Sequence, residues 1–106
     1  KLSSDTHHEM GAEAKFLYAN YLHLSGNYTS AQTEIFELIQ SNTPHQYWLA
    51  RSFVLLADTY IEQDDDFQAK QYLLSLQENY KAKNDVAQMI EQRLEAIAAR
   101  EKEKVY

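Results

Sequence analysis

The chain has 106 residues, enough for a single domain, and no cysteine, so disulfides, thiolate catalysis and cysteine-ligated zinc are excluded. Sixteen Asp and Glu against ten Lys and Arg give a formal net charge of −6, a poor balance for the phosphate contacts of general nucleic-acid binding. Two glycines and one proline favour helices over long loops, and no apolar run approaches the ~20 residues needed to insert across a membrane.

Five helices are predicted in chain order. Thr6-His7-His8-Glu9 has the form of a capping box and predicts a helix from about Glu9 to Leu24. Ser25-Gly26-Asn27 ends it, with Gly26 as the left-handed stop. A second helix is expected from Tyr28 to Ser41, where Ala31, Ile35, Leu38 and Ile39 keep the helical period. Thr43 then suits an N-cap, Pro44 a first helical position, and Gln46 the close of a second capping box. The third helix runs from there to about Gln63 and is apolar nearly all round, so it must be covered on several sides.

Asp64-Asp65-Asp66 reads as the next turn and cap, ahead of a fourth helix from about Phe67 to Asn79. After a polar break from Lys81 to Asp85, capped by Asn84 or Asp85, a fifth helix starts near Val86. It carries Val86, Met89, Ile90, Leu94 and Ile97 on one face and fades into a charged tail. The chain thus divides into a polar lead over 1–8, helix pairs over 9–43 and 44–82, and a capping helix or the start of a third unit over 83–106.

The two pairs superpose at one constant offset. Ala12 meets Ala50, Ala19 meets Ala57 and Ala31 meets Ala69, while Tyr18 meets Leu56, Ile35 meets Leu73 and Leu38 meets Leu76. Gly26 meets Asp64, so the turns coincide too. Small residues recur where helices must approach closely, and large ones where they interlock. These residues resemble the tetratricopeptide repeat family, above all Ala19-x-x-Leu22-x-x-x-Gly26-x-Tyr28-x-x-Ala31-x-x-x-Ile35-x-x-Leu38, with the second copy Phe53-x-x-Leu56-Ala57-x-x-Tyr60. The resemblance covers about Ala12 to Tyr80 and is nearest to the large multi-repeat bacterial members. The chain departs from that pattern in its longer period and in Lys15, which stands where a large side chain is usual.

The resemblance implies an all-α fold of antiparallel helix hairpins wound into a right-handed superhelix. It also implies a concave face lined by the first helix of each pair: Glu13, Phe16, Asn20 and His23, then Arg51, Val54, Asp58 and Glu62. That mildly acidic row suits a peptide or helix with basic and apolar side chains. Charge reversal of Arg51 or Asp58 is expected to change binding with little effect on stability. By the same resemblance the parent compartment leans towards the bacterial cell envelope.

No motif points to catalysis. His7-His8-Glu9 offers metal-ligand chemistry without a second ligand group, and the contiguous acids of Asp64-Asp65-Asp66 lack the alternation, Gly and distant Glu of a calcium loop. No nucleophile elbow or phosphate-binding glycine loop is present. No enzyme activity, cofactor or metal is expected. Two functions stand: a scaffold that binds a protein partner along the concave face, or a structural stretch of a longer solenoid with no ligand of its own. Self-association through the ends of the array accompanies the second.

Overall fold

The computed structural model describes residues 7–104. Five helices follow one another: α1 (Glu9–Leu24), α2 (Tyr28–Gln40), α3 (Gln46–Glu62), α4 (Asp66–Asn79) and α5 (Asp85–Glu103). No strand occurs among the described residues.

The turns inside the two hairpins are built alike and fall at equivalent repeat positions. After α1, the Gly26 amide donates to the His23 carbonyl at 3.0 Å and the Asn27 amide to the Leu22 carbonyl at 2.8 Å. After α3, the Asp64 amide donates to Ile61 at 3.0 Å and the Asp65 amide to Tyr60 at 2.8 Å. Each is a Schellman motif, which satisfies the last carbonyls of the helix and turns the chain back. The pivot residue must take a left-handed conformation: Gly26 has φ +83° and Asp64 φ +60°. Asp is one of the few side chains that tolerate it.

Helix starts differ in detail from the sequence reading. Thr43 does not cap α3 directly, and Pro44 is not its first residue. The buried Thr43 hydroxyl accepts the His45 amide at 3.3 Å, which closes a small turn before the helix begins at Gln46. His45 occupies the N-cap position without a side-chain bond. The α2 end falls at Gln40, where the Ser41 hydroxyl donates to the Leu38 carbonyl at 2.6 Å. Thr6, the first half of the first capping box, lies outside the described residues, as does most of the 1–8 lead, and His8 precedes α1 without a side-chain cap. Asp65 and Asn84 do cap, accepting the Gln68 amide at 3.1 Å and the Val86 amide at 3.0 Å.

Packing is organised around α3. One side of this helix carries Trp48, Ser52, Leu55, Leu56 and Thr59, at helical spacing. Leu55 and Leu56 bury against Phe16, Ala19 and Ile35 of the first hairpin. The opposite side, with Ala50, Val54 and Ala57, buries against Ala69, Leu73 and Leu76 of α4 and Val86, Ile90 and Ile97 of α5. Ala19, Ala31, Ala57 and Ala69 are all buried, at equivalent positions of the two hairpins.

The same register continues into α5. Its packing face is Val86, Ile90, Arg93, Leu94 and Ile97, which match Trp48, Ser52, Leu55, Leu56 and Thr59 one repeat earlier. The helix α5 is therefore in phase with α1 and α3.

Contacts join only near neighbours in the chain. Among the described residues α1 meets α2 and α3, α3 meets α4 and α5, α2 meets α3, and α4 meets α5. No other pair of described helices brings its backbones into contact range. The helix α3 thus shares a layer with α1 and α5. Thr59 and Gln63 reach α2 through Gln32, and Phe53 and Tyr60 reach α4 through Tyr72, so both outer helices sit on one flank of that layer. Arg51 and Asp58 lie on the other flank, which no described helix covers. The result is an elongated body of 51 × 30 × 19 Å.

Candidate binding face

The bare flank of the α1/α3/α5 layer holds the eight residues singled out from sequence, but not on equal terms. Phe16 and Val54 are buried and present almost no surface. Val54 belongs to the core between α3, α4 and α5. Phe16 packs against Trp48, with ring centres 5.6 Å apart, and lies beneath Arg51, whose guanidinium sits 4.8 Å from the Phe16 ring centre. This is a cation–π lid over an aromatic contact between α1 and α3.

Arg51 also donates to the Tyr47 hydroxyl at 2.9 Å, and that hydroxyl donates to the Asp85 carboxylate at 3.0 Å. A polar chain therefore runs from Phe16 through Arg51 and Tyr47 to Asp85, crossing all three helices of the layer. Tyr47 and Asp85 stand at the same offset as Ala12 and Ala50, a spacing that could have revealed the pair. A second tie crosses α3 to α5: Arg93 grips Asp58 in a two-pronged bond at 2.7 and 3.0 Å and donates to the Met89 carbonyl at 3.1 Å. Arg93 carried no sequence signal, because its partner depends on how the helices cross.

These ties revise one expectation. Arg51 and Asp58 are structural fasteners as well as surface groups, so reversing either charge would strike the helix layer itself. The accessible remainder is Glu13, Asn20 and His23 on α1, all partly exposed, and Glu62, exposed at the end of α3. Among the described residues no ion pair or hydrogen bond engages the Glu13 or Glu62 carboxylate. His23 packs edge-on against Tyr28, with ring centres 5.3 Å apart, and its buried Nδ1 has no hydrogen-bond partner.

Glu62 opens into a cleft of about 430 Å³ at one end of the layer, which Ile61, Asp64, Asp66, Arg100 and Lys104 also line. Arg100 donates to Asp66 at 2.7 and 3.2 Å. That bond holds the Asp66 carboxyl below the usual carboxylate range, against the opposing effect of its partial burial. The contiguous acids thus have separate occupations: Asp64 turns the chain, Asp65 caps α4 and Asp66 binds α5. Among the described residues no three His, Asp or Glu side chains converge as metal ligands.

A separate apolar cleft of about 180 Å³ lies between the start of α3 and the end of α4, lined by Leu49, Phe53, Leu76 and Tyr80. Sequence reasoning missed it, since those residues read simply as core. No family model matches the chain, and neither a curated protein nor a solved structure is significantly similar to it.

Proposed function

We propose that this chain is a protein-binding scaffold of tetratricopeptide-repeat type, which holds a peptide or helical segment against the bare flank of α1, α3 and α5. The observation that carries this reading is the one-sided cover of that layer. Both outer helices pack on the same flank, leaving the other as a prebuilt surface whose helices are already tied together through Arg51 and Arg93. Preorganised groups lose little freedom on binding. Glu13 and Glu62 are the open charges on that surface, with Asn20 and His23 between them, which favours a partner with basic and apolar side chains.

The probe is a short fluorescent amphipathic peptide of Lys and Leu, titrated against the chain. Glu13→Gln/Glu62→Gln should weaken its binding several-fold, and added salt should weaken binding to the parent. A control pair with the same change of charge on the α4/α5 side, Glu78→Gln/Glu91→Gln, should leave it unchanged. Equal affinities for both variants would refute the face. The uncovered apolar side of α1 favours a second reading, in which the chain is a stretch of a longer solenoid without its own ligand.

A further inference from the structure

The side of α1 that faces away from the body is unlike any other surface among the described residues. Apart from Glu9 in its first turn, every exposed residue of α1 is large and apolar or aromatic: Met10, Leu17, Tyr18, Tyr21 and Leu24, each between 48 % and 75 % exposed. With Ala14 they form a stripe at alternating spacings of four and three, the pattern of a helix seam. Its register is informative. Met10, Ala14, Leu17, Tyr18 and Tyr21 stand one repeat before Trp48, Ser52, Leu55, Leu56 and Thr59, which pack α3 onto the first hairpin. They stand two repeats before Val86, Ile90, Arg93, Leu94 and Ile97, which pack α5 onto the second. One face thus recurs three times, covered twice and open once.

We infer that a second copy of this chain covers it, with the two α1 helices packed antiparallel about a twofold axis at Leu17. The stripe is nearly symmetric about that residue. Leu17 meets its own copy, Met10 meets Leu24, and the small Ala14 meets the large Tyr21, so ridge falls into groove. The exposed strip between Met10 and Leu24 carries no charge, so two chains of net charge −6 can join there without burying one. The other end of the body cannot take part. Where α3 passes its core on through Ala50, Val54, Ala57 and Ile61, α5 shows exposed Gln88, Gln92, Glu95 and Ala99 at the same register. Head-to-tail chains have no second surface, and assembly closes at two. The stripe residues expose on the order of 600 Å² per copy, so a pair buries at most about 1,200 Å², the lower bound of a standard interface. The dimer is accordingly reversible, with micromolar affinity.

Sedimentation equilibrium of the whole chain tests this. The expected result is a monomer–dimer equilibrium that tightens with added salt, because screening removes repulsion between like-charged copies. The peptide binding proposed above weakens with salt, so the two readings fail separately. Leu17→Glu should weaken dimerisation at least tenfold while leaving the far-UV circular dichroism unchanged. Since the chain has no cysteine, Leu17→Cys should form a self-disulfide under mild oxidation, and Phe67→Cys, on the exposed side of α4, should not. A monomer at about 0.5 mM, roughly a hundred times the expected midpoint, overturns the inference. Equal crosslinking at both cysteines overturns the twofold.

Discussion

Lys15 is the sharpest test of how the first hairpin is held together. Its side chain is 11 % exposed between α1 and α2, and its ammonium donates to Glu34 at 2.8 Å and Glu37 at 2.7 Å. The site can be read as a charge cluster or as a spacer, the stem filling the gap between helices. Exposure of the partners decides between them. Glu34 is 22 % exposed and Glu37 is 55 % exposed, so water takes over much of their solvation when the cation goes. Lys15→Met keeps the stem and removes a desolvated charge, and should cost about 1 kcal/mol or less. Lys15→Ala removes the stem as well and should cost about 2–3 kcal/mol, by lost burial and a residual cavity. Glu34→Gln/Glu37→Gln leaves the ammonium enclosed without a counter-charge and should cost about 3 kcal/mol. Guanidinium unfolding followed by far-UV circular dichroism gives all three. Lys15→Met falling as far as the double glutamine variant would refute the spacer account.

The pH dependence supplies an internal check. Burial alone would lower the Lys15 pKa, but the hydrogen bonds and charges of Glu34 and Glu37 outweigh it, so the folded-state pKa lies above the ordinary 10.5. The folded state then binds its proton more tightly than the unfolded chain. The resulting stabilisation is complete below pH 10.5 and is lost as pH rises through the folded value. Tyr60, also raised, first by burial and then by Tyr72, loses stability in the same direction. It is common to the parent and to Lys15→Met, so the difference between their alkaline curves isolates Lys15.

Two further outcomes follow from the packing and the turns. Leu56→Ala and Leu73→Ala truncate fully buried side chains in the two cores and should each cost about 2–5 kcal/mol; a thermal melt matching the parent would break the repeat register. Asp64→Gly should gain up to about 1 kcal/mol by relieving a left-handed non-glycine residue, provided that its side chain adds nothing at the turn. A loss measured by guanidinium unfolding would show that the carboxylate itself supports that end of the molecule.

Much of the fold was legible because helical repeats write their rules locally. Caps, glycine stops and the recurrence of Ala19, Ala31, Ala57 and Ala69 each depend on a few neighbouring residues, and all four alanines are buried in the structure. The start of α3 was misplaced because Thr43 and Pro44 carry helix-start chemistry that also suits a turn; burial of the Thr43 side chain selects the turn. The candidate face was legible as a list of positions and illegible as chemistry. Whether Arg51 meets a ligand or lies on Phe16, and whether Asp58 is free or gripped by Arg93, depends on helix crossings that no single-helix pattern records. Lys15 stood out in the sequence as a polar residue where a large side chain was expected, and its enclosure between α1 and α2 by Glu34 and Glu37 could not be read from either helix alone.

The restriction of contacts to near neighbours makes this molecule approximately one-dimensional in its energetics. Free energy accumulates hairpin by hairpin with coupling terms at the junctions, as in a short magnetic chain, and no distant closure must form before the rest can hold. Such a body has a natural order of melting. α3 is joined on both sides and should exchange its amide hydrogens last, while α5, joined on one side and left open by the α1 pairing, forms the loose end from which the array unzips.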